Sequence, residues 1–196
     1  RDELAKSIIE DLGLRAINTG CPTLWGLNEE FCRRIPRSKS GIAVCTLHHG
    51  RKDREYDQIL LEKVNENYEK VFFFPQTPYD ARYLSTFKGV DRMTILPSSL
   101  VAYKRFLVEN EVDYVGVRLH GAIFAMQQLK RVILVMVDER TRNMGLNHNL
   151  NCVERSDPAK LEEMIHSEFQ TRVKLNYDAI NQWTSQFGVE IRNTYL

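Results

Sequence analysis

The chain has 196 residues, of which 43% are hydrophobic and 27% charged, and its net charge is +1. This length and composition predict one globular domain with a sizeable core, and the absence of a basic bias argues against a nucleic-acid partner. No apolar run approaches the roughly 18 residues of a membrane span. The four cysteines contain no CxxC pair, which favours reduced thiols in a cytoplasmic protein; they are Cys21, Cys32, Cys45 and Cys152.

The chain begins with a predicted helix whose apolar residues Leu4, Ile8 and Leu12 recur at helical spacing, and Gly13 ends it. Residues 15–18 fit a short strand, and Asn28 is a plausible N-cap for a short helix that follows. Strands and helices then alternate. We predict strands at residues 41–47, 71–74, 93–96, 114–117 and 132–137, and helices at 53–68, 79–87, 100–109, 122–128, 159–175 and 178–187.

This alternation predicts an α/β, Rossmann-like fold, with a mostly parallel sheet covered by helices on both faces. We predict that residues 1–196 form a single domain, with residues 178–196 a terminal helix that packs back on it. In such sheets, ligands bind beyond the carboxyl ends of the strands. Polar residues follow four of the predicted strands: Thr46, His48 and His49; Gln76 and Asp80; Arg118 and His120; Asp138, Arg140 and Arg142.

The Arg118-Leu119-His120 turn is the most informative part of this edge, because a guanidinium and an imidazole leave one strand end together. Arg118 either binds an anionic ligand or is a structural arginine paired with Asp138 or Asp113. His120 either takes part in chemistry or caps the following helix. The neighbouring pair His48-His49 resembles a metal pair, but adjacent strand residues point to opposite faces and no third ligand has matching spacing, so we expect no metal site. Arg140 and Arg142 are predicted on a loop.

Taken together, the motifs of this chain resemble those of the polysaccharide pyruvyl transferase family. The resemblance rests on NTGCPTLW (18–25), the TL strand end (46–47), PQTPYDARYL (75–84), VGVRLHGAIFAMQ (115–127), VDERTRN (137–143), NLNCVER (149–155) and INQWTSQF (180–187). It therefore extends over nearly the whole chain. Thr77 stands where many relatives carry Gly, and His48-His49-Gly50 replace an Asp-Tyr pair.

The resemblance implies transfer of pyruvate from phosphoenolpyruvate to a sugar, as a ketal, with release of phosphate. It also implies a fold like one half of a GT-B-type transferase, and it suggests that this chain is the C-terminal half of a longer enzyme. Phosphoenolpyruvate carries a carboxylate and a phosphate, which arginine binds bidentately. Arg118 is the first candidate clamp, Arg1 follows by resemblance, and Arg140 and Gln76 complete the predicted donor site. His120 is the candidate general acid, or alternatively a phosphate clamp.

Two other functions remain open on the sequence alone. A nucleotide-sugar glycosyltransferase or epimerase of similar architecture could use the same turn to bind a diphosphate, with Glu154 or Asp157 on a ribose. Alternatively, the chain is a donor-binding half that is inactive on its own. The proposed chemistry requires neither a metal nor an organic cofactor, and the apolar terminal helix could support a homo-oligomer. The acceptor sugar, its linkage and the role of His48 and His49 stay open.

Overall fold

The computed structural model describes residues 2–188. Their strands are β1 Ile42–Thr46, β2 Lys70–Phe73, β3 Met93–Ile95, β4 Asp113–Gly116, β5 Val132–Met136 and β6 Cys152–Glu154. Their helices are α1 Glu3–Asp11, α2 Glu29–Arg33, α3 Arg54–Asn67, α4 Pro78–Leu84, α5 Leu100–Glu109, α6 Leu119–Gln127, α7 Glu139–Asn147, α8 Pro158–His166 and α9 Tyr177–Thr184. The predicted alternation of strands and helices is confirmed.

The strands form one parallel sheet in the order β3-β2-β1-β4-β5-β6. From β1 the chain adds β2 and β3 on one side, and it then adds β4, β5 and β6 on the other side. The loops that follow β1 and β4 therefore leave the sheet in opposite directions. This leaves a crevice beyond their carboxyl ends, where ligands of doubly wound sheets bind. We call it the switch-point crevice, and it lies beyond Thr46 of β1 and Gly116 of β4.

Alternate strand residues pack on opposite faces of the sheet, as the two-residue period of a strand requires. On one face, Val44, Tyr114 and Leu134 pack with buried residues of α2, α5, α6 and α7. On the other face, Cys45 and Val115 pack with buried residues of α3, α4 and α8. The α/β fold with helices on both faces is therefore confirmed, and the core is split into two layers by the sheet.

Local capping residues fix where several helices begin. Asn28, Asp53, Ser99 and Asp157 each accept a hydrogen bond from a backbone N–H in the first turn of the helix that follows. Each of these starts agrees with the prediction. Asp157 is followed by Pro158 at the first helical position, where a missing N–H has no consequence.

Four details of the prediction are wrong. Residues 15–18 form no strand, and α8 ends at His166 instead of continuing to residue 175. The segment after α8 has no regular secondary structure and hydrogen-bonds to other parts of the chain, from Phe169 N to Arg37 O and from Lys174 N to His148 O. The loop predicted after residue 138 is helix α7, and β6 was not predicted, because both are short and contain few apolar residues.

The two ends of the described chain differ in how they are covered. The apolar residues Leu4, Ile8 and Leu12 lie on helix α1 or at its end, and they are exposed. Helix α9 buries Ile180, and its Trp183 ring packs edge-on against Trp25, with 5.7 Å between ring centroids. Residues 189–196 of the predicted terminal helix lie outside the described part. Among residues 2–188, no helix has the length and apolar character needed to span a bilayer.

Candidate functional site

A buried hydrogen-bond network fixes the backbone at the switch-point crevice. The hydroxyls of Thr46 and Tyr114 are 2.6 Å apart, and Tyr114 donates to the carbonyl of Arg118 at 2.8 Å. The Arg118 N–H in turn points at both hydroxyls. Gly116 pairs with Thr46 across the two strands, and a Cβ atom there would lie 2.7 Å from the Thr46 nitrogen. Only glycine permits this spacing, so the turn that presents Arg118 is rigidly placed.

Arg118 is held mainly by one carboxylate. Its Nη2 atom donates to both oxygens of Asp80, at 2.5 Å each, and its Nε donates to the Leu47 carbonyl at 3.1 Å. The Nη1 atom makes no hydrogen bond to any residue between 2 and 188, and 13% of the side chain is exposed. The guanidinium is thus fixed on one side and leaves one nitrogen for a ligand.

Asp80 connects three strand ends although it is completely buried. It accepts hydrogen bonds from the backbone N–H of His49 after β1, from the N–H of Thr77 after β2, and from Arg118 after β4. It also faces the His49 ring. Burial by itself would raise the pKa of Asp80, but the hydrogen bonds from His49 and Arg118 hold that pKa below its usual value. Asp80 is therefore an ionised carboxylate inside the protein.

The two adjacent histidines lie on the loop after β1, and both are half-buried. The nitrogens of His48 and His49 and a carboxylate oxygen of Asp80 all lie within 4.8 Å of one another. The expectation that no third group accompanies the histidines is therefore wrong. The Asp80 oxygens, however, are already engaged by Arg118, whose positive charge opposes a cation at the same point. We interpret the cluster as a hydrogen-bonded network.

Gln76 and His120 come together on the side of the crevice next to helix α6. Both line a cavity of about 220 Å³ whose other walls include Phe74, Tyr103 and Phe124. His120 is exposed on the first turn of α6, and its Nε2 lies 3.7 Å from the sulfur of Cys21. The Gln76 amide packs against Gly121, where a Cβ atom would lie 2.9 Å from its Nε2. The glycine after His120 thus makes room for Gln76.

Of the two arginines after β5, Arg142 is engaged in ion pairs and Arg140 is exposed. Arg142 donates to both oxygens of Glu154 and also pairs with Glu139, so it serves a surface ion-pair network. Arg140 is exposed on the first turn of α7, and its charge is among the influences that lower the pKa of His48, after burial and Arg118. Arg140 stands just after β5, the strand that pairs with β4, whose end carries Arg118. Arg1 lies outside the described residues.

Neither expected acidic partner of Arg118 contacts it. Asp113 pairs with the buried Arg131 at 2.6 Å, and Asp138 pairs with Arg51 at 3.0 Å. The actual partner, Asp80, was identified only as a polar residue near a strand end. Its signal in the sequence is the Thr77-to-Asp80 spacing of a capping box, which the structure contains.

The sequence model of the polysaccharide pyruvyl transferase family matches residues 1–139 of this chain. This range includes the arginine and histidine turn, the buried Asp80 and the histidine loop. The chain belongs to the polysaccharide pyruvyl transferase family. Comparisons with curated proteins and with solved structures give no match.

The family model matches a shorter range of residues than the motifs suggested. It covers the N-terminal part of this pyruvyl transferase chain and stops at the first residue of α7, so the motifs at 149–155 and 180–187 lie outside it. It does not support the placement of the chain as the C-terminal half of a longer enzyme. Family membership makes the chain a transferase that acts in pyruvyl transfer to polysaccharide.

Proposed function

We propose that the chain transfers pyruvate from phosphoenolpyruvate to two hydroxyls of a sugar, forming a ketal and releasing phosphate. The observation that carries the proposal is the position of Arg118 at the switch-point crevice of a chain from this family. The guanidinium is oriented by a buried carboxylate, and its Nη1 atom, which makes no hydrogen bond to residues 2–188, can meet an anion. The donor has two anionic groups, so at least one further cation is required.

Arg140 is the second clamp in this proposal. It lies on the first turn of α7, where its side chain is exposed. Arg1 stays a predicted third clamp, and Gln76 a predicted polar contact. Arg118 and Arg140 follow the neighbouring strands β4 and β5, so both stand at the carboxyl edge of the sheet. Two arginines on separate elements suit a ligand whose carboxylate and phosphate are separated.

His120 is the proposed general acid, which delivers a proton to the methylene carbon of the donor. Its ring is exposed at the crevice beside Gln76, on the helix that begins directly after Arg118. An imidazole titrates near neutral pH and can carry a transferable proton under working conditions. If His120 serves instead as a phosphate clamp, its replacement should weaken donor binding as much as it slows turnover.

The alternative function, a nucleotide-sugar glycosyltransferase or epimerase, would need Glu154 or Asp157 to bind a ribose, and both carboxylates have other partners. Glu154 accepts hydrogen bonds from Nε and Nη2 of Arg142, and Asp157 caps helix α8. Neither carboxylate is presented to the switch-point crevice in this arrangement. A cytoplasmic location and homo-oligomer formation stay predictions, and the identity of the acceptor sugar stays open.

The test is calorimetric titration with phosphoenolpyruvate, and the structure decides which variants are informative. Arg118→Ala would leave the buried Asp80 carboxylate without its charge partner, at a cost of about 3–5 kcal/mol in stability. Loss of binding in that variant would therefore be ambiguous. Arg118→Lys keeps the charge and loses the planar fork. Arg140→Ala removes an exposed side chain, so the fold should be unaffected.

We expect Arg140→Ala to weaken phosphoenolpyruvate binding about tenfold or more, with an unchanged melting temperature, because one charge-assisted contact contributes about 1.5–3 kcal/mol. Arg118→Lys should weaken binding similarly. Arg105→Ala, on the exposed surface of α5, is a control that should bind normally. Binding of UDP or GDP with no binding of phosphoenolpyruvate would contradict the proposal. Saturable phosphoenolpyruvate binding without turnover would favour the alternative that the chain binds the donor but is inactive on its own.

A further inference from the structure

Ketal formation requires a base as well as an acid, and this requirement rests on the proposed function. Two acceptor hydroxyls each lose a proton as two new C–O bonds form at the donor carbon that carried the phosphate. The C–O bond to phosphate breaks. One proton is added to the methylene carbon, which becomes a methyl group, and the other leaves with phosphate. His120 accounts for the proton delivered to carbon, while the group that removes a proton from an acceptor hydroxyl is not yet assigned.

We propose that His49 is this general base, with Nε2 as the proton-accepting atom. The His49 Nδ1 atom lies 3.0 Å from Asp80 Oδ1. An ionised carboxylate can only accept a hydrogen bond, so the ring proton resides on Nδ1 and the lone pair on Nε2. Because the two ring nitrogens face different directions, that lone pair points away from the buried Asp80. The ring is 35% exposed, which leaves room for a hydroxyl.

Asp80 places this base close to the donor clamp. The same oxygen, Oδ1, receives the His49 ring at 3.0 Å and Arg118 Nη2 at 2.5 Å. A donor held by Arg118 is therefore within one ligand's length of the imidazole. The His49 backbone N–H also donates to Oδ1, at 3.1 Å, so both the main chain and the ring are fixed by one carboxylate. Asp80 acts here as a positioning residue.

The neighbouring histidine has the opposite proton arrangement. The Gly50 N–H donates to His48 Nδ1 at 3.1 Å, so this nitrogen carries the lone pair and the neutral ring has its proton on Nε2. Burial, followed by the charge of Arg118, lowers the pKa of His48 and keeps it neutral. His48 can therefore donate a hydrogen bond from Nε2 but cannot accept a proton there. It is a matched control one residue away.

The groups that face the His49 ring come from three elements. Asp80 and Thr77 approach from the start of α4, at 3.0 and 3.4 Å from Nδ1. The Tyr79 ring lies 5.2 Å away between centroids, the His48 ring 5.7 Å away, and Arg118 shares the Asp80 oxygen. Asp80 and Thr77 hold the Nδ1 side of the ring, so Nε2 is the atom that can meet an acceptor hydroxyl.

The test uses asparagine at each position, because its side-chain amide replaces Nδ1 and removes Nε2. In His49→Asn the amide can still donate to Asp80, and in His48→Asn the amide oxygen can still accept from Gly50. Phosphate release would be measured with phosphoenolpyruvate and a panel of 4-nitrophenyl hexosides as acceptor probes. We expect His49→Asn to lower kcat about 10²–10⁴-fold, the usual range for a general base, with unchanged phosphoenolpyruvate binding. We expect His48→Asn to leave kcat close to that of the wild type.

A second measurement is independent of the acceptor. Ring ¹⁵N NMR shifts of the wild-type chain, assigned by their loss in the two variants, should show the proton of His49 on Nδ1 and that of His48 on Nε2. A His49 proton on Nε2, or a His49→Asn variant with wild-type kcat, would overturn the inference while leaving the proposed function standing. A wild-type chain that fails to bind phosphoenolpyruvate would instead refute the proposed function, and the assignment of His49 with it.

Discussion

Replacing Asp80 by Asn should show that one buried carboxylate supports both stability and donor binding. The substitution preserves the shape of the side chain but removes its charge. Asp80 is fully buried and receives hydrogen bonds from His49, Thr77 and Arg118. An asparagine offers one oxygen and a donor NH₂ group, which would face N–H groups that need acceptors. At least one of these contacts must therefore be lost, together with the charge pair.

The expected loss is about 3 kcal/mol in the free energy of unfolding. Removal of one partner of a buried ion pair costs about 3–5 kcal/mol, and the lower end applies because Arg118 is partly exposed. For a chain of this length, each kcal/mol shifts the melting temperature by about 2–4 °C. Asp80→Asn should therefore melt about 6–12 °C below the wild type. Phosphoenolpyruvate binding should weaken as well, since Arg118 loses the group that orients it.

The effect should also depend on pH. The pKa of Asp80 is lower in the folded protein than in the unfolded chain, where it is about 4. Its stabilising contribution is therefore complete above about pH 4 and is lost as the pH falls through the folded-state value. The melting-temperature difference between wild type and Asp80→Asn should be largest near neutral pH and should narrow below about pH 4.

Thermal and urea unfolding, followed by circular dichroism, measure this loss. Asp138→Asn is a matched control, because Asp138 also belongs to a capping box and pairs with an arginine, but Arg51 is 56% exposed. An asparagine caps a helix about as well, and exposed pairs contribute about 0–1 kcal/mol, so this control should lose less than about 1 kcal/mol. Equal losses in the two variants would refute the reasoning, because burial would then make no difference to the carboxylate.

Two further variants test the packing of the strands around the switch-point crevice. Arg131→Met should cost about 3–5 kcal/mol in stability, because it leaves the buried Asp113 without its charge partner. Its phosphoenolpyruvate affinity should be unchanged. Thermal unfolding checks the stability, and calorimetric titration below the melting transition checks the affinity. Gly116→Ala should destabilise by about 3 kcal/mol or more, because its Cβ would lie against the Thr46 backbone, while Gly26→Ala, with open space around it, should be tolerated in the same unfolding assay. Similar stabilities for the two alanine variants would contradict the close approach of β1 and β4.

Local sequence signals located most of the elements and the edge that carries the site. Asn28 predicted the start of α2, because a cap bonds to backbone groups only two or three residues away. The strand that ends before Arg118 was recognisable from its apolar run. Helix α7 was missed because its first turns are charged and polar, and a capping box at Asp138 determines its start instead.

Local patterns along the chain were enough to predict the α/β class, the strand ends that bear polar residues and the membership of Arg118 and His120 in one turn. The acid that pairs with Arg118 became clear only from the packing of the strands into a sheet. Asp80 lies 38 residues before Arg118 and 31 after His49, so no local pattern joins them. Ion pairs are chosen by which strands become neighbours, and the order of the sheet places β1 between β2 and β4. That arrangement brings three separate strand ends to one buried carboxylate.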